Sequence, residues 1–199
     1  KGYIESFDIL GKFHHNRQPY DVNNQITIRG NRDTLYSFGV FDLRSPVTIT
    51  LPETEGRYQS LMIVNQDHYI NDLFQSGGTY ELDMETFDTP YVVVAVRTLV
   101  DAANPEDIAA VNALQDQIAV EAGSSKPYIV PNYDEESFEA VLQASLELAR
   151  ALPDSSRTFG KKEEVNPVRH FLGTANGWGG LPEGEAFYLN VEPGLGVGE

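Results

Sequence analysis

Cysteine is absent from the 199 residues. Its absence removes disulfides, thiolate metal sites and a cysteine nucleophile, though it fixes no compartment. Basic residues are scarce: fourteen Lys and Arg stand against thirty Asp and Glu, a formal net charge of -16. Such a surface disfavours nucleic acid and anionic bilayers, both of which need basic patches. Solubility, including in salty surroundings, explains the charge without a partner; attraction of cations or of a basic partner is the alternative. No stretch approaches 18 apolar residues, so no membrane span is expected. The opening KGYIESFDIL has no apolar run of a signal peptide, which says nothing of a precursor. HExxH, the EF-hand loop, GxxxxGK[ST] and GxSxG are all missing, and with them the usual signatures of zinc peptidases, calcium sites, P-loops and serine hydrolases.

What is present is the make-up of a globular protein. Hydrophobic residues reach 41%, charged residues 22%, and there are ten Tyr, ten Phe and one Trp. QITIR (25–29) alternates, as does LYSFGVFDL with Gly39 marking a bulge or a close backbone approach. PVTITLP is the clearest strand, with Val47, Ile49 and Leu51 on one face and Thr48 and Thr50 on the other. RYQSLMIV (57–64) follows a turn, NQDHYINDLFQSGG reads as a polar connection, and TYELDM as a short strand. PYVVVAVRTLV (90–100) is apolar through its middle, which predicts a central strand. At Asn104 the period changes. Asn104 is an N-cap, Pro105 occupies the first helical position, and Ile108, Val111, Leu114 and Ile118 form a stripe expected to run to Gly123. A second helix is predicted from about Asp134 to Leu152, with Phe138, Val141, Leu142 and Leu146 on its inner face. AFYLNV reads as a final strand.

These elements predict a mainly β fold: an antiparallel β-sandwich-like core with a two-helix insertion, the alternative being an antiparallel α+β arrangement. The organisation expected is a single β-rich domain over 1–199, with the helical insertion at about 104–152 and a Gly-rich loop at 173–180. Parallel α/β is disfavoured because the first hundred residues offer no crossover helices.

The candidate chemistry is thinly marked. Asn31-Arg32-Asp33-Thr34 ties down a strand entrance, or it places Arg32 to hold an anionic or carbonyl oxygen, with Asp33 orienting it and Tyr36 beside the ligand. Asp67-His68-Tyr69 combines an acid, an imidazole and a phenol, but on a strand Asp67 and His68 point to opposite faces. A metal site drawn from His14 or His15, His68, His170 and an Asp is chemically permissible, yet no spacing requires it, and no metal or cofactor is expected. Arg169-His170 precedes GTANGWGG, a loop that either cradles an anion or packs around Trp178. Arg97 and Asp101 flank the end of the central strand and suggest an ion pair. The catalytic candidates are Asp33, Asp67, His68 and His170; the ligand-binding candidates are Arg32, Tyr36, Arg57 and Trp178.

Several of these stretches in fixed order resemble the bacterial domain-of-unknown-function family numbered 1254. They are Asn31-Arg32-Asp33-Thr34-Leu35-Tyr36-Ser37, Asp42-Leu43, Gly56-Arg57-Tyr58, Arg97-Thr98-Leu99-Val100-Asp101 and Leu114-Gln115-Asp116. Further on come Pro167-Val168-Arg169-His170, Gly173-Thr174-Ala175 and Gly177-Trp178-Gly179-Gly180. The likeness runs over most of residues 11–190. It implies a β-sandwich with helical elements, export to the envelope or periplasm, and in many members a second β domain from the family numbered 1214. It brings no activity, cofactor or catalytic residue, although Arg32, Asp33, Tyr36, Arg57, Arg97, His170 and Trp178 fall on its motifs.

Three functions follow as expectations. The first is an envelope-associated binding or accessory domain, periplasmic or secreted with the cytoplasm as the alternative, whose ligand is a small molecule or a glycan held by Arg32, Tyr36, Asp67 and Trp178. The second is a small-molecule hydrolase with Asp33 or Asp67 as base, His68 or His170 as proton shuttle and Arg32 or Arg57 holding negative charge. In the third the chain is a structural half that pairs with a second β domain or with its own copies. Nucleic acid is not expected as a partner.

Overall fold

The computed structural model describes residues 7–21, 23, 31–129 and 134–176. It divides into two compact units, residues 1–130 and 131–199.

The first unit is two antiparallel sheets. One holds five strands in the order β1 (His14–His15), β2 (Thr34–Asp42), β7 (Tyr91–Leu99), β4 (Gln59–Asn65) and β5 (Ile70–Phe74). The other holds β6 (Gly78–Leu82), β3 (Val47–Leu51) and β8 (Ala119–Ala122). Every strand pair is antiparallel; one isolated parallel bridge joins Leu10 to Val40. This is the β-sandwich-like core with helices that the pattern predicts. The short α1 (Met84–Phe87) and α2 (Pro105–Gln115) complete the unit.

Alternation puts Phe41 of β2, Leu61 and Ile63 of β4 and Val92, Val94 and Val96 of β7 on one face. There they bury against Val47, Ile49 and Leu51 of β3 and Leu82 of β6. Each such side chain contributes about 1.5–3 kcal/mol by leaving water. The central strand β7 pairs in unbroken register with β2 and β4. Gly39 holds its place without a bulge: a Cβ there would lie 2.7 Å from the Lys12 carbonyl oxygen and 2.8 Å from the Phe41 ring.

Three expectations are corrected. The first helix ends at Gln115, not near Gly123. Gln115 is buried and its Nε2 donates to the carbonyls of Asn16 and Tyr36 at 3.2 and 3.3 Å. Beyond it Ile118 and Val120, two residues apart, turn onto the sandwich core as a strand edge does. The connection after Asn65 contains strand β5, whose Phe74 stacks on Tyr80 at 4.1 Å. The strand geometry that would put Asp67 and His68 on opposite faces does not apply, because residues 67–68 belong to a turn, with His68 at φ 64. The predicted strands at 25–29 and in AFYLNV lie outside the described residues, as does Trp178.

The second unit contains α3 (Glu135–Ala149) and α4 (Pro167–Asn176). Asp134 caps α3 by accepting from Ser137 N–H at 3.0 Å. The inner face of α3 is corrected too: Phe138 and Val141 are 54% and 49% exposed, whereas Ser145 is buried between half-buried Leu142, Leu146 and Ala149. Residues 173–176, read from the sequence as loop, finish α4. Gly173 allows this, because a Cβ would come within 2.3 Å of Thr158 Cγ2.

Candidate functional site

The polar trio before β2 is a braced entrance. Asn31 Oδ1 accepts from Asp33 N–H at 2.8 Å while its Nδ2 donates to Thr34 Oγ1 at 3.1 Å. The Asp33 carbonyl accepts from Val100 N–H at 2.7 Å, which ties the entrance to the exit of β7. Asn31 thus does the structural work and leaves Arg32 and Asp33 exposed; the two make no ion pair with each other.

They open onto a wide depression of about 840 Å³ lined by Arg32, Asp33, Arg57, residues 99–104 and Asp107. One wall is a saturated ion pair. Arg57 Nη2 and Nη1 donate to Asp107 Oδ1 and Oδ2 at 2.5 and 3.0 Å, and Nη1 also reaches the Leu99 carbonyl at 2.8 Å. Asp107 accepts a further bond from Asp101 N–H at 2.7 Å. The side-chain bonds from Arg57, then the Asp101 amide, bring the Asp107 carboxyl down from 3.8 to about 2. Arg57, a ligand-binding candidate, is therefore engaged in stapling β4, β7 and α2. The helix N-terminus beside it is closed by Asn104, whose Oδ1 accepts from Glu106 and Asp107 N–H.

Leu99 belongs both to this depression and to the sheet face turned away from the core. Along that outer face Tyr36, Arg97 and Ser60 are cross-strand neighbours. The Arg97 guanidinium lies 5.6 Å from the centre of the Tyr36 ring. The ion pair suggested between Arg97 and Asp101 does not form: Asp101 Oδ1 accepts from Ala103 N–H at 2.9 Å, two residues along its own loop. In the next outward row are Leu99 and Tyr58, 44% and 40% exposed, joined by the Leu99 N–H to Tyr58 carbonyl bond. Tyr58 and Ser60 were missed by sequence reasoning; the strand period, counted from buried Leu61, puts both outward.

The remaining candidates are distributed elsewhere. Asp67 and His68 occupy the turn after β4, beyond the other end of a seven-residue strand, roughly 20 Å or more from its start. Buried Asn65 organises that turn, its Oδ1 accepting from Asp67 and Tyr69 N–H at 3.0 Å each. His15 Nδ1 meets Ser37 Oγ at 2.7 Å, and burial first, then Arg17, lowers its pKa. His14 packs between Phe7 and Phe38. In the second unit His170 is buried with Nδ1 3.0 Å from the Thr158 carbonyl. Arg169 pairs with Asp154 at 2.5 Å. The unit also holds Ser156, whose hydroxyl, ahead of Arg169, brings Asp154 down to about 2. Among the described residues no three His, Asp or Glu side chains gather as metal ligands, and no helix is long and apolar enough to cross a membrane.

One polar cluster escaped notice in the sequence. Asp42 is fully buried under Arg44, Ser124 and the Lys126 amide, and Arg44 also meets the Tyr91 hydroxyl at 2.9 Å. Burial pushes the Asp42 carboxyl up, but the bonds from Ser124, Arg44 and Lys126 outweigh it and hold it below its ordinary value. Arg44 is two residues away, but Ser124, Lys126 and Tyr91 come from distant parts of the chain, so no local motif announces the cluster.

The family model for the protein of unknown function DUF1254 matches residues 10–80. The resemblance carried by the motifs at 31–37, 42–43 and 56–58 is thus borne out, while those at 97–101, 114–116 and 167–180 lie beyond the matched stretch. Among solved structures the chain is similar to the VPA0106 protein from Vibrio parahaemolyticus, with a TM-score of 0.58 at 17% identity. The likeness covers 79% of this chain and 58% of that one, so this chain spans under two thirds of the relative's length. At that identity the comparison concerns the fold alone. A comparison with curated proteins found no match.

Proposed function

We propose that the first unit is a binding domain, envelope-associated and exported as the family resemblance implies, that takes a small glycan or a similar polyol ligand at the β2–β7 corner. The observation that carries this reading is the unengaged pair Arg32 and Asp33 facing a depression of about 840 Å³. That volume falls within the range of small-molecule sites, roughly 300–1,000 Å³. Fixed donors and acceptors beside exposed Tyr58 and Leu99 suit a ring with one apolar face and several hydroxyls. The hydrolase alternative draws less support, because Asp33 has no imidazole lining its depression and Asp67 lies beyond the far end of β4.

Calorimetric titration with mono- and disaccharides tests the proposal. Saturable binding that weakens about tenfold in Arg32→Ala supports it, the loss expected for one bond to a charged group. Failure of every sugar, or equal binding by the variant, overturns it.

The exposed Val93, Leu73 and Leu99 favour a second reading, in which the outer sheet face also meets a further β domain or another copy. Sedimentation of the chain across a concentration series checks the copy.

A further inference from the structure

Eight arginines lie among the described residues, and six of them donate to a protein oxygen. Arg17, Arg44, Arg57, Arg150 and Arg169 each meet a carboxylate at 2.5–2.9 Å. Arg157 Nε donates to the Glu164 carbonyl at 3.1 Å. The two left over, Arg32 and Arg97, both belong to the β2–β7 corner. Arg97 is the more unusual. It is half-buried, its Nε is shut away from solvent with no hydrogen-bond partner, and its one described contact is the Tyr36 ring. Directly across the strand pair, the buried Ser60 hydroxyl also has no partner.

A desolvated guanidinium N–H without an acceptor is costly, and a tyrosine ring offsets little of that cost. In a chain with thirty acidic residues, an internal carboxylate would be the simple remedy, and none is supplied among the described residues. A carboxylate arriving on a ligand would meet the planar fork of N–H donors that such a group fits. Tyr58 and Leu99 in the adjoining row offer its ring an apolar surface. One guanidinium pairs with one carboxylate, and the net charge of -16 works against any further negative charge on the ligand.

We infer that the ligand of this corner is a monocarboxylate, an acidic sugar of the uronate class, and that Arg97 receives its carboxylate beside Tyr36. The inference rests on the binding reading above and narrows its substrate class.

Titrations with glucuronate and with glucose, on the wild-type chain, Arg97→Gln and Arg97→Lys, test it. The expected result is a wild-type preference for glucuronate of about tenfold or more. Arg97→Gln abolishes that preference, and Arg97→Lys retains part of it. Equal wild-type affinity for the two sugars overturns the inference and leaves the binding reading standing; this comparison needs no variant to fold. If neither sugar binds but benzoate does so through Arg97, the carboxylate site stands and the sugar reading falls. If none of the three binds, both fall.

Discussion

The two faces of the five-stranded sheet are made by the same strands and obey different rules. On the inner face, Leu61, Ile63, Val94 and Val96 are fully buried against the second sheet. One residue along each strand, the outer face carries Tyr36, Arg97 and Ser60, with Val93 47% exposed nearby. A period of two keeps the sets apart, so β4 and β7 serve the core and the candidate site at once. The inner face is a packing problem already solved. The inner face leaves one uncharged orphan, Gln59 Oε1, whereas the outer face keeps a cation without an acceptor, and that asymmetry is why function is assigned to it.

The largest expected effect tests the inner face. Leu61→Ala should cost about 2–5 kcal/mol, because the cavity cannot collapse between two paired sheets. Chemical denaturation measures it; a loss below 1 kcal/mol would mean that this face is not the core.

The border between the faces comes next. Asp107→Asn removes the charge and one of the two acceptor oxygens that Arg57 and the Asp101 amide share. The pair is partly exposed, so solvent screening limits the loss to about 1–2 kcal/mol. The sign of its pH dependence follows from a folded pKa of about 2 against an ordinary 3.8. The contribution is complete above 3.8 and disappears as pH falls from there through 2. Acid denaturation of Asp107→Asn should therefore show a shallower loss of stability over that interval than the wild type. Parallel curves would remove the pair from the energetics.

How much of this was legible depended on whether a signal was local. The strand Val47–Leu51 and the central β7 were, because alternation and an apolar run are read within one segment. So was the start of α2, where Asn104 and Pro105 stand together. The same Asn-Pro pair opens α4: Asn166 Oδ1 accepts from Val168 and Arg169 N–H. The glycines downstream drew attention away from it. Gly173 is there to let the helix pass Thr158, a contact no sequence pattern displays. The candidate site was half legible. Arg32, Asp33 and Tyr36 belong to one segment; that Arg57 would be occupied by Asp107, and that Arg97 would lie beside Tyr36 and Ser60, depends on which strands become neighbours. Asp67-His68 looked chemical for its composition, whereas its geometry is that of a turn held by Asn65.

A smaller effect separates a binding cation from a structural one. Arg97→Met keeps the stem that packs on the sheet and removes the charge. If Arg97 serves a ligand, the variant should be as stable as the wild type or gain up to about 1 kcal/mol, since no internal pair is broken. Thermal melts without added ligand measure this. A loss of 2 kcal/mol or more would show that Arg97 supports the fold, and the outer face would lose its claim to be a site.

The smallest expected effect bears on whether solvent or a partner covers the outer face. Val93 has Val40 and Val64 as its cross-strand neighbours; those two are buried while it is 47% exposed. Threonine has nearly the same shape and β preference, so in contact with water Val93→Thr should change stability by no more than about 0.5 kcal/mol. Against a second copy the hydroxyl would be desolvated without a partner, and the cost would rise. In that case the wild-type melting temperature would also climb with protein concentration, which a monomer forbids. A flat concentration series together with a silent Val93→Thr leaves the outer face free for a small ligand, and a rising series with a costly substitution gives it to a second copy.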